Sequence, residues 1–272
     1  MLRVMQSNFG ESALASNEKL CINIMNSQLF ISKIRCSTVL LPNWAEKSDY
    51  NINDHVDIWR VPVQKITDKL HTVLKYLTPQ ETKRMKRHKK ESERIQYVIG
   101  KGFLKLLLSK YLNREPMDIE FGYGMNNKPY IKDTRELYFN VSHSRDWVVV
   151  GLCSDELGVD IEFVDKKFDF FPLIETHFSS QEANFIENSY SPRHEFFKLW
   201  TRKESLLKAT SLGMTGNLNL INCLDGIQYI PYEVGGGFYD WKIKSLLMDE
   251  LYIISISFPV HLRKIRFFDA SI

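Results

Sequence analysis

Two acidic residues at alternate positions are the first candidates for chemistry in this sequence. Asp160 and Glu162 lie in Gly158-Val-Asp-Ile-Glu-Phe163, where apolar residues alternate with them as in a β-strand. Both carboxylates then project from one face, where each raises the pKa of the other unless a cation lies between them. Carboxylate oxygens are the ligands that Mg²⁺ prefers, so the pair is a candidate metal site. Taken alone, the two-residue pattern is better explained as a strand whose solvent face is acidic.

A third carboxylate, Glu204, lies in a predicted helix over residues 194–210. Helical spacing places Trp200, Lys203, Glu204 and Lys208 on neighbouring turns of one face. A Glu–Lys pair four residues apart usually stabilises an exposed helix by only a few tenths of a kcal/mol. Helical spacing alone therefore does not decide whether Glu204 and Lys208 form a surface pair or belong to a functional site.

A histidine between two serines, at Ser142, His143 and Ser144, is predicted to lie in a turn between two strands. Adjacent residues rarely adopt triad geometry, and the Gly-x-Ser-x-Gly elbow is absent, so a serine hydrolase is not indicated. A histidine in a turn near lysines suits contact with a phosphate at least as well.

The predicted elements that position these residues are mixed helices and strands. Thr78 is a candidate N-cap, with Pro79 at the first helical position. The first fifty residues have no strong periodicity and are left unassigned. Helices are predicted at 91–112, 180–188 and 194–210, and strands at 55–63, 137–141, 147–153, 158–163, 228–234, 240–245 and 251–258.

Composition narrows the function classes. The 272 residues carry 36 Lys and Arg against 33 Asp and Glu, a balance that disfavours a nucleic-acid-coating protein. The absence of an apolar run long enough to span a bilayer, and of a secretory signal, favours a cytoplasmic protein without a membrane partner. A basic run over 83–90 is either a solvated helix face or an anion-binding surface.

Four segments, in this order, resemble the signature motifs of the Sfp-type 4'-phosphopantetheinyl transferases. Asn127-Lys-Pro129 is similar to the family's Gly-Lys-Pro turn, and Phe139-Asn-Val-Ser-His-Ser144 to its Phe-Asn-x-Ser-His-Ser strand end. Gly158-Val-Asp-Ile-Glu162 matches Gly-x-Asp-x-Glu, and the segment from Trp200 to Lys208 matches Trp-x-x-Lys-Glu-x-x-x-Lys. The resemblance covers about residues 55–258.

The resemblance implies an α+β fold of two similar α/β lobes related by a pseudo-twofold axis, with the ligands bound in the cleft between them. The polar turn at 154–156 is the candidate lobe boundary. The expected division is an N-terminal segment of unclear role at 1–54, an N-terminal lobe at 55–154 and a C-terminal lobe with the metal ligands at 155–272. One chain holds both lobes, which implies a monomer.

The resemblance also implies the reaction: transfer of the 4'-phosphopantetheine arm of coenzyme A, the co-substrate, to a serine of an acyl or peptidyl carrier protein, with release of 3',5'-ADP. The carrier is expected to belong to a polyketide or nonribosomal peptide synthase. Asp160, Glu162 and Glu204 would hold Mg²⁺, with Glu204 or a metal-bound water as the base and Glu204 favoured. Coenzyme A would be bound by Arg94, Lys128, Ser142, His143, Lys203 and Lys208, and Lys208 would also act in catalysis.

Two positions depart from the family pattern. Asn127 replaces the usual glycine, which is tolerable because Asn accepts left-handed backbone angles. Gln96 stands where many relatives carry an arginine for the coenzyme A 3'-phosphate, and Arg94, Arg87 or Lys101 is the expected substitute.

Three other functions compete with this one. A catalytically idle relative would bind coenzyme A or a carrier without transfer, but all three carboxylates are retained. A metal-dependent phosphohydrolase or nuclease of another fold leaves the Ser-His-Ser segment unexplained. A nucleic-acid binder using residues 83–90 is disfavoured by the near-neutral total charge.

Overall fold

The computed structural model describes residues 31–39, 42–213, 218–236 and 240–270. Its strands are β1 (Ile31–Val39), β2 (Trp44–Ala45), β3 (His55–Pro62), β4 (Phe121–Tyr123), β5 (Pro129–Ile131), β6 (Tyr138–Ser144), β7 (Trp147–Cys153), β8 (Gly158–Phe163), β9 (Gly226–Pro231), β10 (Trp241–Met248), β11 (Tyr252–Pro259) and β12 (Lys264–Asp269). Two five-stranded sheets have the orders β2-β12-β3-β7-β6 and β8-β11-β10-β1-β9, and β4 pairs with β5.

The helices lie mainly in two groups along the chain. They are α1 (Val63–Thr67), α2 (Leu70–Leu74), α3 (Pro79–Met85), α4 (Glu91–Val98), α5 (Leu104–Leu112), α6 (Phe171–His177), α7 (Ser180–Glu187) and α8 (Pro192–Thr210). A π-helical turn at Ile99–Phe103 joins α4 to α5. Within the described ranges, none of the helices has the length and apolar character needed to cross a membrane.

Apolar clusters define the layers of the fold. One cluster lies between the two sheets and includes Ile58 and Val149 from the first sheet and Val159 and Ile256 from the second. A second cluster packs α4 and α5 on the outer face of the first sheet, and a third packs α6 to α8 on the second. The resulting α+β architecture confirms the predicted fold class.

The first and last described strands, β1 and β12, are exchanged: each pairs in the sheet that is formed mainly by the other part of the chain. The sequence did not predict this exchange. β1 pairs with β10 and β9 in the second sheet, although it lies in the segment for which no role was assigned. β12 pairs in parallel with β3 in the first sheet, although its residues belong to the predicted C-terminal lobe at 155–272. Arg266 on β12 fixes this pairing, with Nε 2.7 Å and Nη2 2.8 Å from the two oxygens of buried Asp57. The predicted segment 1–54 is only partly covered, since residues 1–30 lie outside the described ones.

Most predicted elements form within a few residues of their expected bounds. Thr78 is the N-cap of α3, as predicted, and it caps the helix in a reciprocal arrangement with Glu81. The single helix predicted over 91–112 is interrupted by the π turn, where Gly102 allows close packing: a Cβ there would lie 2.3 Å from the carbonyl oxygen of Val73. Helix α6 and strand β12 were not predicted.

A fully buried ion pair joins α8 to α7. Lys203 and Glu182 are each 0% exposed, and Lys203 Nζ lies 2.8 Å from Glu182 Oε2. The ammonium also donates to the carbonyls of Leu218 and Ile221, and Glu182 accepts from the amide of Cys223. Because both side chains have hydrogen-bond partners within this cluster, the pair can anchor α8 in the core.

Replacing Lys203 by Met should strongly destabilise the protein, because Glu182 would be left as an unpaired buried charge. We expect a loss of about 3–5 kcal/mol in the free energy of unfolding, measured by urea denaturation. Lys90→Met is the matched control, since the Lys90 side chain is 78% exposed, and it should change stability by less than about 0.5 kcal/mol. Equal stabilities of the two variants would contradict a structural role for the pair.

Candidate active site

Side chains of β6 join the edge strands of the two sheets. Asn140, Ser142 and Ser144 alternate along β6, so all three face β8. Asn140 Oδ1 accepts from the amide of Val159 at 2.9 Å, and the two serine oxygens accept from the amides of Ile161 at 3.4 Å and Phe163 at 3.0 Å. A ladder of side-chain hydrogen bonds thus replaces backbone pairing between β6 and β8.

The same serines also bind the two acidic side chains of β8. Ser142 Oγ donates to Asp160 Oδ1 at 3.0 Å, and Ser144 Oγ donates to Glu162 Oε2 at 3.3 Å. Each serine accepts from the amide that follows an acidic residue and donates to the carboxylate itself. The Asp-x-Glu strand and the Ser-x-Ser strand therefore form one structural unit.

Helix α8 brings a third carboxylate and a lysine to this unit. Lys208 Nζ lies 2.6 Å from Asp160 Oδ1 and 2.9 Å from Ser142 Oγ. Together with Glu204 these groups line a cavity of about 420 Å³, whose walls are Val141, Ser142, His143, Asp160, Glu162, Trp200, Glu204 and Lys208.

Gly158 sets the distance between α8 and β8. A Cβ at this position would lie 1.9 Å from the carbonyl oxygen of Ser205 and 2.5 Å from the amide nitrogen of Ala209. Any larger residue would force the helix away from the strand. The first position of the Gly-x-Asp-x-Glu pattern thus places Glu204 and Lys208 opposite the carboxylates of the strand.

Burial and mutual repulsion change the ionisation of the cavity residues. Burial, reinforced by the charge of Asp160, raises the pKa of Glu162 to about 7 and raises that of Glu204. Loss of solvent, followed by the charge of Lys208, lowers the pKa of His143. The cavity therefore favours the neutral form of His143, and its acidic side chains outnumber its cationic ones.

The donor set of the cavity fits a divalent cation. Among the described residues, Asp160 Oδ2 and Glu204 Oε1 are buried oxygens without a hydrogen-bond partner. Such oxygens are costly unless a ligand or ion satisfies them, and oxygen donors suit Mg²⁺. In the part of the chain that the structure describes, no three acidic, histidine or cysteine side chains are already gathered to metal-ligand spacing. The position beside Asp160 is taken instead by the Lys208 ammonium.

Six of the predicted site residues line this one cavity: Ser142, His143, Asp160, Glu162, Glu204 and Lys208. Lys203 does not, and its predicted contact with coenzyme A is corrected here. Helical spacing placed Lys203 on the same face as Glu204. In the structure the Lys203 side chain instead turns into the core towards Glu182 and is 0% exposed. Asn140 was not selected from the sequence, although its place beside Ser142 in an alternating strand was a usable signal.

The two remaining predicted residues lie outside the carboxylate cavity. Lys128 lines an adjoining cavity of about 210 Å³, which it shares with Glu204 and Lys208. Arg94 is exposed on α4 and lies on the wall of neither cavity. Gln96, two positions further along α4, donates to the carbonyl of Arg145 at 2.8 Å and so braces the β6–β7 turn.

Comparisons with known proteins identify the family of this chain. Residues 156–256 match the model of the 4'-phosphopantetheinyl transferase superfamily, and residues 63–154 match the model of a 4'-phosphopantetheinyl transferase N-terminal region. The chain is 31% identical to a protein of Synechocystis sp. named as a candidate 4'-phosphopantetheinyl transferase, over 64% of this chain and 74% of the relative.

Two further relatives carry the same activity in their names. The 4'-phosphopantetheinyl transferase HetI of Nostoc sp. is 29% identical over 60% of this chain and 71% of its own length. The 4'-phosphopantetheinyl transferase Sfp of Bacillus subtilis is 26% identical over 52% of this chain and 63% of its own length. The chain belongs to the 4'-phosphopantetheinyl transferase superfamily and is a transferase, as the motifs predicted.

The raised pKa of Glu162 predicts a pH-dependent stability. With a pKa of about 7 in the folded protein against 4.5 unperturbed, Glu162 contributes stability that is complete below the lower value and lost as the pH rises through the higher one. The melting temperature of the protein in EDTA should therefore fall between about pH 5 and pH 7.5. In Glu162→Gln this fall should be smaller.

The control for this measurement is Glu187→Gln, which replaces an exposed glutamate on α7 and should keep the wild-type slope. A slope in Glu162→Gln that equals that of the control would contradict the assigned titration.

Proposed function

We propose that this chain is an Sfp-type transferase that moves the 4'-phosphopantetheine arm of coenzyme A to a serine of an acyl or peptidyl carrier protein. The observation that carries the proposal is the single cavity in which three carboxylates meet Lys208. A carrier domain of a polyketide or nonribosomal peptide synthase is the proposed acceptor. Membership of the superfamily and the four motifs support this substrate class.

Asp160, Glu162 and Glu204 are the residues that would hold Mg²⁺. When bound there, the ion would neutralise the charge of the pyrophosphate and orient it for attack. The unpartnered oxygens of Asp160 and Glu204 support this assignment. The serines of β6 keep two of the three carboxylates in position.

Side chains of the protein then accept the proton of the carrier serine and stabilise the charge of the leaving group. Glu204 accepts the proton of the carrier serine as the general base. The serine oxygen forms a bond to the β-phosphorus of coenzyme A as the bond to the bridging oxygen breaks. The departing 3',5'-ADP takes that electron pair, and Lys208 stabilises its charge.

Ser142 and His143 complete the binding of the phosphates. Ser142 already accepts from the Lys208 ammonium, so it orients the cation towards the cavity. His143 lines the same cavity, and a neutral ring there can donate to a phosphate oxygen without repelling Lys208. Arg94 is proposed only as a contact of the 3'-phosphate, on the strength of the motif alignment.

The same proposal includes the organisation of the protein. A lobe at 55–154 and a lobe at 155–272 form the cleft, with the exchanged strands β1 and β12 linking them. One chain holds both proposed lobes, which supports a monomeric enzyme. A cytoplasmic location, where coenzyme A and carrier proteins are available, is part of the proposal.

The transfer is tested by the intact mass of an apo carrier protein after incubation with the chain, coenzyme A and Mg²⁺. We expect a gain of one phosphopantetheinyl group, which is lost in excess EDTA. Asp160→Asn and Glu204→Gln should each slow transfer by at least about 100-fold, while Glu187→Gln on the surface of α7 should not.

Two results would overturn the proposal. Near-normal rates in both carboxylate variants would remove the metal assignment. Absence of any mass gain on several unrelated carriers, despite binding of coenzyme A, would identify a catalytically idle relative.

A further inference from the structure

Lys128 makes contacts that differ from those expected of a residue that binds the nucleotide. Its ammonium lies 2.6 Å from Glu156 Oε2 and 2.9 Å from the carbonyl oxygen of Ala209. Its side chain is only 15% exposed. Two of the three ammonium protons are therefore donated to protein groups, which ties the Lys128 side chain to two other segments of the chain.

The carbonyl that Lys128 binds belongs to the last turn of α8. The last carbonyls of a helix have no partner within it, and a cation near this end is favourable. Ala209 directly follows Lys208, whose ammonium contacts Asp160. Lys128 therefore binds the helix one residue from the cavity lysine.

A second contact of the same turn reinforces this attachment. Asn126 Nδ2 donates to the carbonyl of Ser211, the C-cap of α8, at 2.8 Å. Asn126 and Asn127 both have left-handed backbone angles, with φ of 50° and 59°. This conformation, which asparagine tolerates, places the amide and the lysine on the end of the helix together.

The third partner connects the turn to the strand of carboxylates. Glu156 precedes Gly158, the first residue of β8, by two positions. Lys128 thus bridges the segment that leads into β8 and the end of α8, the two elements that supply Asp160, Glu204 and Lys208. A shift of either element changes the separation of Lys208 and Asp160.

We propose that Lys128 is a positioning residue that fixes the end of α8 against the start of β8, and so sets the geometry of Lys208, Glu204 and Asp160. This inference rests on the proposed transfer reaction. It differs from the sequence-based expectation, in which Lys128 binds coenzyme A directly.

The test compares Lys128→Met, Lys128→Arg and the unaltered chain in kcat, in KM for coenzyme A, and in the calorimetric Kd for coenzyme A without carrier. In Lys128→Met we expect kcat to fall by about 10- to 100-fold, because misplaced catalytic groups reduce the rate without removing a ligand contact. KM and Kd should stay within about threefold of the unaltered values. Lys128→Arg, which keeps a charge and several donors, should recover part of kcat.

Lys132→Met is the matched control. Lys132 belongs to the same region and pairs with Glu120 at 2.9 Å, but its side chain is 48% exposed, so none of the three constants should change. Glu156→Gln should lower kcat in the same direction as Lys128→Met, and less strongly, because a neutral oxygen can still accept from the ammonium.

Two outcomes would overturn the inference. A rise of tenfold or more in KM and Kd for coenzyme A, at unchanged kcat, would show that Lys128 binds the co-substrate. Wild-type constants in Lys128→Met would show that it has neither role.

Hydrogen exchange separates a failure of this inference from a failure of the proposed function. If the unaltered chain transfers nothing to any carrier, the proposed function fails. Faster amide exchange over residues 207–210 in Lys128→Met, at unchanged Kd for coenzyme A, would then still support the positioning role. Unchanged exchange there would contradict it.

Discussion

The site depends on the way in which β6 is joined to β8. Each strand lies at the edge of its own sheet, where backbone groups would otherwise lack partners. Asn140, Ser142 and Ser144 supply acceptors for the amides of β8, and the two serines donate to its carboxylates in return. The same hydrogen bonds therefore join the two sheets and orient the acidic side chains. A change that disrupts this junction would also disturb the site.

Charge balance is the second constraint. Three carboxylates share a cavity with one ammonium, and burial raises the pKa of Glu162 and Glu204. Lys208 compensates only part of this charge, since Asp160 Oδ2 and Glu204 Oε1 remain without partners among the described residues. A cavity of this kind favours ligands that bring further positive charge, which supports the divalent cation that we propose for it.

The rigid attachment of α8 completes the arrangement. The helix is held at its middle by the buried pair of Lys203 and Glu182, and near its end by Lys128. Close contact at Gly158 leaves no room for the helix to move towards β8. The helix therefore holds Glu204 and Lys208 at fixed positions, as electrostatic stabilisation of a transition state requires.

The sequence was most informative where a short pattern sets both structure and chemistry. Alternation in β8 predicted that Asp160 and Glu162 share a face, and helical spacing predicted that Glu204 and Lys208 do. Lys203 was misplaced because the same spacing does not show which part of a helix face enters the core. The exchange of β1 and β12 was missed because strand pairing between distant segments depends on partners such as Asp57 and Arg266, which no local pattern connects.

The role of Lys128 was predicted from a motif, whereas its contacts lie in segments 28 and 81 residues away along the chain. Such long-range partners become visible only when the fold is known. The same limit applies to Asn140, whose acceptor role depends on the register of two edge strands in different sheets.

We propose that Asp160 and Glu204 hold a divalent cation together with coenzyme A. The most direct measurement is electron paramagnetic resonance of Mn²⁺, used as a stand-in for Mg²⁺, titrated into the protein with coenzyme A present. We predict one bound ion per chain, with affinity reduced at least about tenfold in an Asp160→Asn, Glu204→Gln double variant that binds coenzyme A and remains folded. Unchanged Mn²⁺ affinity in that variant would contradict the assignment of the site.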